Sequence, residues 1–191
     1  DSLVGQGISV DDAVAAGVLG RGDRGAYDFF RHRITIPIRS TQGGRVISFG
    51  GRIFGEQAEG RPKYLNGPQS PIYDKSFVLY GLYEAGAALK SGKPAVLCEG
   101  YFDVIALHRA GLPTAVAPCG TSLTPRHVEE LRRRVERSRV ILCHDADKAG
   151  KEATDKAVKM LLSANVDVGM VRLPDKDPDQ MVQAGNAQLL N

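Results

Sequence analysis

The spacing of apolar residues changes near Pro94, where a regular alternation of strands and helices begins. Short apolar, β-prone runs follow one another as PAVLC, PTAVA, RVILCH and VDVGMVRL. Segments with helical spacing separate them, namely YFDVIALHRAG, TPRHVEELRRRVER and AGKEATDKAVKMLLSA. Strands that alternate with helices of this length are joined by right-handed crossovers. The pattern therefore predicts an α/β fold with a mostly parallel sheet flanked by helices.

The part of the chain before this alternation contains both helical and β-rich segments. VDDAVAAGV and FVLYGLYEAGAALKSG have helical spacing, whereas RITIPIRS and RVISFGGRIF are β-rich and separated by TQGG, which favours a hairpin. The Gly- and Pro-rich stretch FGEQAEGRPKYLNGPQSPIYDKS predicts a loop. We therefore predict a smaller α+β subdomain at residues 1–92 and the α/β subdomain at residues 93–191, with the boundary at SGK.

Composition places the chain among ordinary globular proteins. Of its 191 residues 42% are hydrophobic and 25% are charged. No apolar run approaches the roughly 20 residues of a membrane-spanning helix, and the first residues lack the pattern of a signal peptide. We expect a cytoplasmic protein that does not contact a membrane. The absence of an initiator Met suggests a fragment or a processed chain.

Cysteine usage argues against a zinc site. Cys98, Cys119 and Cys143 are far apart and form no CxxC pair. We expect buried free thiols in a reducing compartment.

The net charge of +3 is small, but the charges are unevenly distributed along the chain. Residues 21–75 are basic, and the acidic residues gather in the later half. A basic region followed by an acidic site suits a polyanion that is first bound and then presented to metal ions. A solvated surface of mixed sign explains any single Arg equally well.

Acidic residues follow three of the predicted strands directly. They are Glu99 after PAVLC, Asp145 and Asp147 after RVILCH, and Asp175, Asp177 and Asp179 after VDVGMVRL. Asp103 lies one helical turn beyond Glu99. Ligands of open parallel sheets bind beyond the carboxyl ends of the strands, so these carboxylates are candidates for a shared site.

Each acidic group also has a structural explanation. Asp147 could be a helix N-cap, Asp103 a solvated helix residue, and PDKDPD a polar turn. Three clusters at one edge of a sheet favour a site, because packed like charges need a compensating cation. Donors that are all oxygen indicate Mg²⁺ or Mn²⁺, which act through phosphate, so we predict phosphoryl or nucleotidyl transfer.

Three short motifs, EGYFDVIAL, GTS and DADKAG, together resemble the Toprim domain of primases, topoisomerases, nucleases and recombination proteins. The pattern of that family, one Glu and a DxD pair, matches Glu99 and Asp145-Ala146-Asp147. The flanking GGR, PKYLN, LYGLYEA and LPDKDPDQMVQAG are similar to the RNA polymerase domain of bacterial DnaG-type primases. This second resemblance extends over about residues 27–185.

The resemblance implies an enzyme, a DNA primase that synthesises RNA primers on single-stranded DNA during replication. It implies a Toprim-type sheet, catalytic roles for Glu99, Asp145 and Asp147, and two or more Mg²⁺ or Mn²⁺ ions. The implied metal ligands are Glu99, Asp103, Asp145, Asp147, Asp177 and Asp179, and the implied residues for binding nucleic acid and nucleotides are Arg52, Lys63, Asn66 and Lys75.

Partners and missing parts follow from the same resemblance. The partners would be the template, ribonucleoside triphosphates, the RNA–DNA hybrid and a replicative helicase, with the chain itself a monomer. The zinc-binding domain, the helicase-binding domain and the helical end of the polymerase domain are expected to be absent.

Other residues are interpreted as structural. We expect His144 to face away from Asp145, Tyr64 to be a packing aromatic, and Arg132, Arg133 and Arg134 to form a solvated face. Two other functions stay open: a metal-dependent Toprim nuclease, and a DNA-binding module without catalytic activity.

Overall fold

The structure is a computed structural model, and it describes residues 2–55, 60–135, 139–171, 173 and 177–186. Within these ranges no helix combines the length and the apolar character needed to cross a membrane. Contacts between Cα atoms divide the chain into two compact units, Asp1–Asp74 and Lys75–Asn191, and each is described by itself. The predicted boundary after residue 92 rests on composition and stays a prediction.

The first unit contains two short helices and two antiparallel sheets. Its elements are α1 (Ser2–Gly5), α2 (Val10–Ala15), β1 (Leu19–Gly22), β2 (Gly25–Asp28), β3 (Arg33–Arg39), β4 (Val46–Ile53) and β5 (Tyr64–Asn66). Strand β1 pairs with β2, and the other sheet has the order β3-β4-β5.

The hairpin predicted around TQGG is confirmed by the antiparallel pairing of β3 and β4. Gly43 and Gly44 lie in the turn with φ of 78° and 65°, a region that favours glycine. Strand β5 lies inside the segment predicted to be loop, so that prediction is wrong for residues 64–66. The Gly and Pro residues around this strand favour a loop, whereas its pairing with β4 depends on residues that are distant in sequence.

The second unit is built on a five-stranded sheet. Its elements are β6 (Leu79–Tyr80), α3 (Leu82–Lys90), β7 (Ala95–Leu97), α4 (Tyr101–Arg109), β8 (Ala115–Pro118), α5 (Pro125–Arg134), β9 (Arg139–Leu142), α6 (Lys148–Ser163), β10 (Asp167–Met170) and α7 (Pro178–Gln183).

The strand order is β10-β9-β7-β8-β6, and all neighbours are parallel except β6 and β8. The predicted mostly parallel sheet with helices is therefore confirmed. Strand β6 was not predicted, because its two residues lie within a run that has helical spacing. Its antiparallel pairing with β8 makes the sheet mixed.

Both faces of this sheet are covered. Leu97 and Leu142 pack with apolar residues of α3, α5 and α6 on one face. Cys98 and Cys143 pack with residues of α4 and α7 on the other. Burial on both faces explains why the strands read as continuous apolar runs rather than as alternating ones. The cysteines are buried and free, as predicted.

The arginine run of α5 is only partly solvated. Arg132 and Arg133 bind the exposed carboxylate of Glu129. Arg134 instead binds Glu130 at 2.7 Å, and the side chain of Glu130 is only 8% exposed. The solvated-face prediction is therefore wrong for Arg134, which shields a buried carboxylate.

Candidate functional site

The parallel strands β7 and β9 bring two predicted site residues together. The strands are neighbours with Leu97 opposite Leu142, so Glu99 and Asp145 emerge beyond adjacent strand ends. The Oε1 atom of Glu99 accepts a hydrogen bond of 2.9 Å from the backbone N–H of Asp145. These residues are 46 positions apart in sequence, and the contact follows from the topology of the sheet.

Asp103 lies in the first turn of α4, close enough to Glu99 and Asp145 to interact with their charges. Its Oδ2 atom accepts a hydrogen bond of 3.1 Å from the N–H of Gly100. Burial and the negative charge of Asp145, followed by those of Asp177 and Glu99, raise the pKa of Asp103 to about 7. Four of the predicted ligands therefore interact, although they come from three separate segments.

Asp147 and Asp177 are helix N-caps. The Oδ1 atom of Asp147 accepts from the N–H of Gly150 at 2.8 Å, and the Oδ1 atom of Asp177 accepts from the N–H of Gln180 at 2.8 Å. The capping explanation of Asp147 is thus correct, and the cap starts α6 at Lys148, one residue before the predicted helical segment begins at Ala149. Each cap uses one carboxylate oxygen, so the second can still bind a cation.

Two further acidic residues complete the predicted set. Asp179 lies in the first turn of α7. Asp175 lies outside the described residues.

The chemistry of this group fits a divalent cation. The donors are carboxylate oxygens, the ligands that Mg²⁺ and Mn²⁺ prefer. Burial, and then the neighbouring carboxylate charges, raise the pKa of Asp103, so a bound cation would stabilise its ionised form. As the side chains stand, no group of three or more His, Cys, Asp or Glu within the described ranges has the arrangement of a metal site. The ligand set therefore stays a prediction.

Gly150 leaves space for the acidic pair. A Cβ atom at this position would meet the backbone carbonyl of Asp145 and lie 2.8 Å from Oε1 of Glu99. Helix α6 therefore approaches the carboxylates closely only because residue 150 has no side chain.

The ring of His144 contacts α6 through Thr154. The hydroxyl of Thr154 donates to the carbonyl of Gly150 at 2.8 Å. Its oxygen therefore accepts from Nδ1–H of His144, 3.0 Å away. Burial lowers the pKa of His144 to about 4, so the ring is neutral and ties β9 to α6.

A cavity of about 830 Å³ adjoins Glu99 in the second unit. Its lining includes Glu99, His144, Thr121 and Lys156. Ala149 and Ala153 line it as well, because these small residues of α6 do not fill the space. The cavity therefore lies between Glu99 and residues of α6.

Three predicted binding residues lie in the first unit, on β4, on β5 and next to β5. Arg52 is paired with Tyr64, and Asn66 is paired with Gly50. The ring of Tyr64 has the guanidinium carbon of Arg52 at 5.8 Å and the ammonium of Lys63 at 5.6 Å. Tyr64 is 37% exposed, so its ring is not buried in a core. An exposed aromatic ring beside two cations can stack on a base.

Arg33 supports this surface and was missed from the sequence. Its guanidinium donates to the carbonyls of Gly51 and Lys63 at 3.3 Å each, and to that of Pro62 at 2.8 Å. These bonds fix the backbone that carries Lys63 and Tyr64. A local pattern cannot reveal them, because their acceptors are backbone carbonyls up to 30 positions away.

The pKa of Asp103 predicts how stability depends on pH when no metal is bound. Between pH 4 and 7 the folded chain keeps a proton that the unfolded chain has released, so the free energy of unfolding falls as pH rises. The loss is about 1.4 kcal/mol per pKa unit. Urea unfolding in a chelator at pH 5 and pH 8 measures it, and Asp103→Asn is the control that should remove most of this loss. An equal pH dependence of the two proteins would contradict the prediction.

Comparison with known proteins covers nearly the whole chain. The model of the Toprim-like family matches residues 96–182, and the DNA primase catalytic core, N-terminal domain, matches residues 1–86. A DNA primase of Halalkalibacterium halodurans is 44% identical over 163 residues, which are 85% of this chain and 26% of that protein. The chain thus spans about a quarter of the length of this curated relative.

Solved structures agree in fold. The Aquifex aeolicus primase structure with zinc-binding and RNA polymerase domains has a TM-score of 0.89 and 36% identity, covering 99% of this chain and 46% of that one. A DnaG primase catalytic domain bound to single-stranded DNA has a TM-score of 0.84 and 38% identity, covering 100% of this chain and 60% of that one. The resemblance read from the motifs is therefore confirmed, and the chain belongs to the DnaG-type primase family, of which it carries the Toprim-containing part of the catalytic core.

Proposed function

We propose that the chain is the catalytic part of a DNA primase and catalyses template-directed synthesis of RNA primers in DNA replication. The observation that carries the proposal is the hydrogen bond between Glu99 and Asp145 beyond adjacent strand ends, with Asp103 close enough for their charges to raise its pKa. Nucleotidyl transfer needs such a concentration of negative charge to hold cations against phosphate. The similarity to a primase catalytic domain bound to single-stranded DNA supports DNA as the template.

The acidic residues would hold the metal. Membership of a Toprim-containing family implies dependence on divalent metal ions in general. We propose Glu99, Asp145 and Asp147 as the central ligands, with Asp103, Asp177 and Asp179 in support. Bound Mg²⁺ or Mn²⁺, in two or more copies, would lower the pKa of the attacking hydroxyl and neutralise phosphate charge.

The basic residues would bind the phosphates. Arg52 and Lys63 carry fixed positive charge beside the exposed ring of Tyr64, and Lys75 is exposed. Asn66 would join Arg52 and Lys63 in binding the template and the ribonucleoside triphosphate. The 3′-hydroxyl would attack the α-phosphate as pyrophosphate leaves. No side-chain base is required in this scheme, and neutral His144 has a structural role.

Further partners are part of the same proposal. The RNA–DNA hybrid would be the product, and a replicative helicase would be a protein partner. We propose a monomer that acts in the cytoplasm.

The deciding assay mixes the chain with single-stranded DNA, labelled ribonucleotides and Mg²⁺ or Mn²⁺. Labelled oligoribonucleotides that require the template support the proposal. Degradation of the DNA without synthesis would indicate a Toprim nuclease instead. Binding of DNA with neither reaction would indicate a module without catalytic activity.

Lys63→Ala is expected to weaken binding of single-stranded DNA and to reduce its salt dependence. Removing one phosphate contact lowers the slope of log K against log salt by about 0.7 for a single strand. Fluorescence anisotropy at several salt concentrations measures both quantities. The matched control is Lys90→Ala at the end of α3, which removes the same charge from an exposed position. Equal slopes for Lys63→Ala and the wild type would exclude the phosphate contact.

A further inference from the structure

The first residues of the second unit are attached to the first turn of α5. The hydroxyl of Thr124 donates to the carbonyl of Ser76 at 2.5 Å, and Arg126 donates to the Ser76 hydroxyl at 3.2 Å. The guanidinium of Arg126 also lies over the ring of Phe77, 5.2 Å from its centroid. The segment around Ser76 is thus held by side chains about 50 positions later in the chain.

His127 makes the contact that reaches Lys75. Its ring is fully buried, and Nδ1 lies 3.1 Å from the backbone N–H of Thr124. Because Nδ1 accepts that hydrogen bond, the ring proton is on Nε2. Nε2–H donates to the carbonyl of Lys75 at 3.0 Å. Only this neutral tautomer satisfies both contacts.

Lys75 combines a fixed backbone with an exposed side chain. Its carbonyl is bound by a buried ring, whereas its side chain reaches solvent. Within the described part of the chain its ammonium is in no ion pair. A lysine whose backbone is held in place and whose ammonium group has no ion pair is suited to bind an anionic ligand from solvent.

We propose that His127 is a positioning residue for phosphate binding, acting through the backbone of Lys75. The inference rests on the proposed function, in which Lys75 contacts phosphate. That phosphate belongs either to the DNA template or to the ribonucleoside triphosphate. Both sources offer the same oxygens to the ammonium, so separate measurements distinguish them.

The test uses His127→Gln. Glutamine at the third helical position can accept from the N–H of Thr124 and restore the capping box. It does not reproduce the rigid ring that donates to Lys75. The control is His108→Gln, because Nε2 of His108 also bonds a backbone carbonyl, that of Ala115, at 2.9 Å.

We expect His127→Gln to raise either the Kd for single-stranded DNA or the KM for ribonucleoside triphosphates by about tenfold, the size of one contact to a charged group. The kcat and the melting temperature should change little. An increase in Kd identifies the template phosphates, and an increase in KM identifies the nucleotide. His108→Gln should change neither.

A double-mutant cycle with Lys75→Ala decides whether His127 acts through Lys75. If it does, His127→Gln has no further effect once Lys75 is alanine. Additive effects would overturn the inference, as would an effect of His127→Gln on kcat alone or no effect of Lys75→Ala. The measurement of DNA affinity does not need catalysis. Absence of primer synthesis by the wild type would therefore refute the proposed function, and the double-mutant cycle for DNA binding would still be decided separately.

Discussion

Replacement of Asp145 by asparagine is expected to lower the rate of primer synthesis by at least about 10²- to 10³-fold. Removal of a preorganised electrostatic group from an active site has an effect of this size. The change is nearly isosteric, and the backbone N–H that binds Glu99 remains. It removes one negative charge and one anionic donor from the proposed metal site. Mn²⁺ affinity should fall together with activity, which calorimetry and the primer assay measure on the same preparation.

Stability should change in the opposite direction to activity. Asp145 is the charge that raises the pKa of Asp103 most, after burial. Its neutralisation therefore relieves repulsion, and without metal the variant should unfold at the same or a higher urea concentration than the wild type. Asp155→Asn, at an exposed position of α6, is the matched control and should leave synthesis intact. An active Asp145→Asn protein would falsify the proposed metal site.

Gly150→Ala should be the most damaging single-methyl change in this region. The new Cβ would collide with the carbonyl of Asp145 and stand 2.8 Å from Oε1 of Glu99, so α6 or the carboxylates must move. Overpacking of this kind costs about 1–3 kcal/mol. We expect a lower melting temperature and loss of Mn²⁺ binding, because the shift separates the two acidic residues.

Gly86→Ala is the matched control for this change. Gly86 lies in α3, and a Cβ there meets nothing within 4 Å. Alanine in an open helical position stabilises by about 1 kcal/mol relative to glycine. Opposite signs for the two variants in thermal unfolding would support the role of Gly150. Equal stabilisation of both proteins would contradict it.

Much of the second unit could be predicted because its elements are local. The period of the apolar residues predicts each strand and helix between Pro94 and Met170. Parallel topology then predicts that Glu99 and Asp145 lie close together, and their hydrogen bond agrees. The first unit was harder, because β5 is short and lies among Gly and Pro.

The sequence by itself determined the order of the elements, the cap at Asp147 and the acidic residues at the strand ends, since these depend on neighbours within a few positions. The tertiary structure decided the exposure of Tyr64, the protonation of Asp103 and the support of Lys63 and Lys75. Arg33 and His127 reach those lysines across 30 and 52 positions. Such contacts depend on strand register and helix packing, which a local pattern of polar and apolar residues does not contain.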